Sequence, residues 1–157
     1  MLSRLCLAWA GVGMDMSALG PKGADHYWQL LDLGLLRGDL LSSVWSLTMQ
    51  PPLYNLSIGL LLQLPEGWQQ PVSTVALTAC FAIAGAATYL TMVVLGLRRS
   101  AALAVTLLFV AANPGWALFA TRPFYALPTA TLITLTALGA ALMLRRPSTL
   151  SALGFTA

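Results

Sequence analysis

The spacing of the charges limits this chain more than any other feature. Eight basic and five acidic residues are spread over 157 positions. None of them falls between Glu66 and Arg98, between Arg99 and Arg122, or between Arg122 and Arg145. The uncharged run from Val72 to Leu97, VSTVALTACFAIAGAATYLTMVVLGL, is 26 residues long. As a helix it measures about 39 Å at about 1.5 Å per residue, enough to cross a hydrocarbon core about 30 Å thick with some tilt. Only 8% of the residues are charged and 58% are hydrophobic, against roughly a quarter charged in a soluble domain. A water-soluble fold is not expected. The net charge of +3 does not point to nucleic acid, because the basic residues form no stripe or block.

The organisation follows from where the uncharged runs stop. Residues 72–97 form the first full span, with Pro71 just ahead of it and Arg98-Arg99 closing it. Ala82, Ala84, Gly85, Ala86 and Ala87 within it suit close helix packing in lipid. A second segment, about 100–120, meets Asn113, Pro114 and Gly115 and either leaves the membrane there or bends and continues to Ala120. A third, about 125–144, ends at Arg145-Arg146. Residues 1–14 read as part of a first spanning helix, since the apolar stretch from Leu5 to Met14 is about half of the roughly 20 residues a crossing needs. Residues 147–157 form a tail. The expected class is all-α, a polytopic integral membrane protein.

The arginine pairs close the first and third of these spans and share one side, where basic loops mark the cytoplasm. Arg122 and everything before Val72 then face outward, and all five acidic residues, Asp15, Asp25, Asp32, Asp39 and Glu66, lie in that outer region. Two interfacial helices are expected there, at about 24–37 and 52–64. In the first, Tyr27, Leu30, Leu31 and Leu35 recur at helical spacing, with Asp25, Gln29 and Asp32 on another face. In the second, Asn55, Gly59 and Gln63 recur every four residues beside a leucine-rich face. Trp28, Trp45, Trp68, Trp116, Tyr54 and Tyr125 fall on the outer side as an aromatic belt. Cys6 and Cys80 sit in apolar surroundings as small hydrophobes. The single histidine, His26, is far from both in sequence, and no metal-ligand spacing links them.

The segments DHYWQLLDLGLLRGDL, MQPPLYNLSIGLLLQLP and NPGWALFATRPFYALP, with a long Arg-Arg-terminated span between the last two, resemble the GT-C superfamily of membrane glycosyltransferases. That superfamily includes the polyprenyl-phosphate-dependent mannosyl and arabinosyl transferases. The likeness covers roughly residues 15–146. Asp25 stands at the family's acidic position and Tyr27 at its aromatic one, Gly38-Asp39 matches a Gly-Asp, and Gln50-Pro51-Pro52-Leu53-Tyr54 matches the element that opens the next helix. Two positions depart from the pattern: the acidic pair reads Asp25-His26, and Gln50 stands where the family has His. The family's enzymes also have more helices, so the resemblance implies an N-terminal fragment whose remaining helices would be partners.

The resemblance implies sugar transfer from a lipid-linked donor, a polyprenyl phosphate, to an acceptor hydroxyl at the outer face of the plasma (inner) membrane. Asp25 is the candidate general base and Asp15 the alternative; a carboxylate within reach of the hydroxyl proton contributes about 10²- to 10⁴-fold in rate. Arg122 would meet the leaving phosphate, since a guanidinium matches its oxygens with a planar fork. His26, Tyr27, Gln50 and Tyr54 are the further substrate-binding candidates. Each has a plainer reading: Asp25 as a helix cap, Arg122 as a snorkelling anchor, the aromatics as belt. No cofactor is assigned, and a divalent metal stays open. The other class of function is a small non-catalytic membrane subunit or scaffold, whose Gly/Ala-rich spans would pack against a partner. A transporter is not expected, because no charge lies inside a span.

Overall fold

The computed structural model describes residue 16 and residues 30–48, 51–111, 115 and 125–145. Among these the chain is helical, without strands. Six helices follow in order: α1 (Leu33–Gly38), α2 (Leu40–Trp45), α3 (Pro52–Leu62), α4 (Glu66–Val94), α5 (Arg99–Thr106), which continues into a π turn at Leu107–Ala111, and α6 (Ala126–Arg145). Two of them, α4 and α6, are long and apolar enough to cross a membrane.

The first three helices make a small unit around Leu30, Leu36, Ile58, Leu61 and Leu62, with Met16, Leu40, Val44 and Tyr54 packed against that core. Residues 30–32 are not helical, so the helix expected over 24–37 is not continuous through them. The reason is local. Asp32 turns its carboxylate onto the chain, and its Oδ1 accepts from the N–H groups of Gly34 at 2.8 Å and Leu35 at 3.1 Å. That satisfies two of the amides a helix start leaves unpaired. Asp32 is therefore an N-cap in place of the solvated face that periodicity assigns to it.

Helix α4 starts at Glu66, ahead of the span expected at Val72, and carries Pro71 inside it. Turn chemistry decides the start: Pro65 occupies the N-cap position with extended backbone, and Glu66 places a negative charge in the first turn, where the helix dipole favours it. At the other end, Gly96 has φ +100°. Its N–H donates to the Val93 carbonyl at 3.0 Å, and the Leu97 N–H donates to the Met92 carbonyl at 3.0 Å. This is a Schellman stop.

Helices α4 and α6 pack side by side and run parallel. Leu77 and Phe81 of α4 meet Leu127 of α6, and the Thr131 hydroxyl reaches the Cys80 carbonyl at 3.0 Å. Further along, the Arg145 guanidinium lies against Gly96. Cys80 and Gly96 thus pair with residues that advance in the same direction, and Arg98, Arg99 and Arg145 stand at one end of the pair. Helix α5 follows α4 after a short connection, residues 95–98, and packs against it. Of the alanines and glycine singled out in α4, Ala84 and Ala87 are buried and Ala82 and Ala86 face outward. Ala102 of α5 and Ala141 of α6 are also buried, so small residues sit where backbones approach.

Little of the long helices is covered. Only 22% of the most apolar stretch of α4 and 17% of that of α6 is buried. A central helix of a soluble domain hides most of its apolar surface, whereas Val75, Ile83, Leu90, Leu132, Ile133, Leu142 and Leu144 are exposed here.

Candidate functional site

The Pro51–Tyr54 element is held in place from Asn55. This residue is completely buried, and both ends of its amide are used. Oδ1 accepts from the Leu31 N–H at 2.7 Å, and Nδ2 donates to the Pro51 carbonyl at 3.0 Å. One side chain therefore ties the start of α3 to the strand of backbone leading into α1. Pro52 fits the first turn, where a missing N–H costs nothing. One turn on, a Cβ at Gly59 would overlap the Leu40 side chain, so glycine lets α2 approach. Another turn on, Gln63 Nε2 donates to the carbonyls of Leu36 at 3.3 Å and Arg37 at 3.2 Å. The stripe of Asn55, Gly59 and Gln63 is thus the docking face of α3 onto α1 and α2, while Leu53 and Leu60 point outward.

With α3 fixed this way, the Tyr54 ring meets the Tyr125 ring edge-on, with centroids 5.9 Å apart and planes at 65°. Such a pair adds about 0.5–1.5 kcal/mol beyond the area it buries. It also joins two distant pieces of sequence, the Pro-Pro-Leu-Tyr element and the segment that ends at Tyr125. Beside the pair a groove of about 860 Å³ runs between α3, α4 and α6. Its walls come from Pro51, Pro52, Leu53, Tyr54, Ser57, Ile58, Leu60, Leu61 and Leu64 on the α3 side, from Val72, Ser73, Ala76, Leu77 and Cys80 of α4, and from Tyr125, Pro128, Thr129 and Leu132. No charged side chain is among them. The volume and the few hydroxyls set in apolar walls match the usual make-up of a small-molecule or lipid site.

Neither a family model, nor a curated protein, nor a solved structure matches this chain. The geometry therefore speaks without a relative beside it.

Of the residues that sequence singled out, Tyr54 is described and lines the groove. Asp15, Asp25, His26, Tyr27, Gln50 and Arg122 lie outside the described residues, as does Cys6. Among the described residues, no three His, Cys, Asp or Glu side chains come together. Asp32 is engaged in capping α1, and Asp39 is exposed between α1 and α2. Cys80 is a free thiol, half-buried against the α4–α6 contact.

Three residues gain importance that sequence did not give them. Asn55 and Tyr125 were visible only as members of a stripe and a belt. Ser73 had no signal of its own. The spacing that would have found it is Ser73, Leu77, Phe81 and Ala84, a run at intervals of four and three whose members are all buried.

Proposed function

We propose that this chain acts as, or within, an integral membrane glycosyltransferase that moves a sugar from a polyprenyl-phosphate donor to an acceptor hydroxyl. The placement proposed is the plasma (inner) membrane, with the reacting side facing outward. The observation that carries the reading is the Tyr54–Tyr125 contact. Tyr54 and Tyr125 come from two of the segments whose sequence resembles the GT-C enzymes, and their contact lies at one end of the α4–α6 pair, beside an apolar groove. The arginines Arg98, Arg99 and Arg145 stand at the opposite end, which suits a cytoplasmic face.

In this reading the outer end is where chemistry occurs. Asp25, or failing it Asp15, removes the acceptor proton as the glycosidic bond forms. Arg122 balances the charge that grows on the leaving phosphate. His26, Tyr27 and Gln50 contact sugar or phosphate, and the Tyr54–Tyr125 pair makes an aromatic wall.

The test uses membranes from cells expressing the open reading frame that contains this sequence, supplied with a radiolabelled polyprenyl-phosphate sugar. Transfer is expected with the unaltered protein, and Asp25→Asn should lower it by about 10²- to 10⁴-fold, with carbonate-resistant membrane association unchanged. Full activity in both Asp25→Asn and Asp15→Asn would remove the proposed base. Absence of transfer across polyprenyl-phosphate hexoses and pentoses would leave the non-catalytic subunit as the better account.

A further inference from the structure

Ser73 behaves unlike most threonines of the long helices. Thr74, Thr78, Thr88 and Thr91 in α4, and Thr131 and Thr136 in α6, each donate to the carbonyl four residues back, at 2.6 to 2.9 Å. The Ser73 side chain is only 5% exposed, yet its Oγ has no hydrogen-bond partner. A buried hydroxyl left this way costs free energy. It belongs to the wall of the groove between α3, α4 and α6, and rotation about a single χ1 bond carries it between staggered positions on that wall.

The level and the lining indicate what it could meet. Ser73 lies about 10 Å along the axis from Glu66 at about 1.5 Å per residue. Before it come Trp68, Gln69 and Gln70; beyond it the wall is Leu77, Cys80 and Leu132. A polar end thus gives way to an apolar one at Ser73, as headgroup gives way to hydrocarbon in a bilayer. Among the described residues no charged side chain lines the groove, and beside these walls an anionic oxygen would lose its hydration without a counter-charge. A neutral carbonyl would not.

We propose that this groove holds an ester-linked acyl chain of a membrane glycerolipid, with the Ser73 hydroxyl donating to the ester carbonyl. The proposal rests on the membrane placement of the reading above and not on its sugar chemistry. A polyprenyl chain offers Ser73 no acceptor along its length, so the hydroxyl favours an acyl lipid in this groove.

The test places the full chain in phosphatidylcholine vesicles containing a trace of a diazirine-bearing phosphatidylcholine, in its ester form or as the ether analogue that lacks the carbonyl. Labelling is mapped to the peptides carrying residues 72–80 and 125–132. The ester lipid is expected to label them about 2- to 10-fold more than the ether lipid, the range that one neutral hydrogen bond gives. Ser73→Ala should equalise the two, and Ser73→Thr should keep the preference. Ala76→Trp, which fills the groove from an exposed position, should lower both. Equal labelling of the unaltered chain, or a preference that survives Ser73→Ala, overturns the proposal. So does an absence of labelling by either lipid, which would mean that a segment of the chain itself fills the groove. Extraction of the chain by carbonate would instead overturn the membrane placement.

Discussion

A side-chain amide in an apolar helix is costly unless its oxygen and nitrogen both find partners, and Asn55 shows how much can be fixed by meeting that demand. Its hydrogen bonds to Leu31 and Pro51 join the start of α3 to the backbone leading into α1. Asn55→Leu keeps similar bulk but leaves the Leu31 N–H with nothing to donate to. The expected loss is about 1–3 kcal/mol, read as a lower midpoint in thermal unfolding of the detergent-solubilised protein. Gln63→Ala should cost less, because Gln63 is exposed and water can serve the carbonyls of Leu36 and Arg37. Spacing alone reveals that Asn55, Gly59 and Gln63 share a face. It does not reveal that this face turns toward protein backbone, because the acceptors and donors that receive it belong to α1 and its approach, 24 or more residues away in sequence.

Elements were legible in their apolar interiors and less so at their ends. The uncharged runs that mark α4 and α6 are what a helix needs if its uncovered face meets hydrocarbon, where charge is costly. Boundaries answer to different forces. Leu30 and Leu36 both enter the same core, so the apolar rhythm runs through residues 30–32 although the helix that Asp32 caps begins only at Leu33. At α4 the turn made by Gln63, Leu64 and Pro65 starts the helix before its apolar part begins. Gly96 is the clearest case at the other end, since a side chain at φ +100° is strained whatever space surrounds it. Gly96→Ala is expected to destabilise by about 1 kcal/mol, while Gly67→Ala, with open space around its Cβ position, should be neutral or slightly stabilising. Comparing the two variants by unfolding in detergent separates the backbone requirement from a general effect of losing glycine.

Over the whole molecule, the α4–α6 contact is the main long-range packing and is modest in chemistry: Leu77, Phe81 and Leu127, small residues, and one cross-helix hydrogen bond from Thr131. Thr131→Val preserves shape and removes that bond. In apolar surroundings such bonds contribute about 0.6 kcal/mol, so a small loss is expected, measurable as easier separation of the helices in a steric-trapping or denaturant series. The candidate site was only partly legible because its groove is assembled from three helices. Their order along the chain says nothing of which faces meet, and the carboxylates that sequence favours lie outside the described residues.

The parallel course of α4 and α6 has a consequence for whatever is joined to this unit. If α4 and α6 both cross a bilayer, their parallel course places the chain entering α4 and the chain leaving α6 on opposite sides. In a bilayer, cargo fused before Pro65 and cargo fused after Arg145 would therefore occupy different compartments, and a pair of compartment-sensitive reporters at those two points should never light up together.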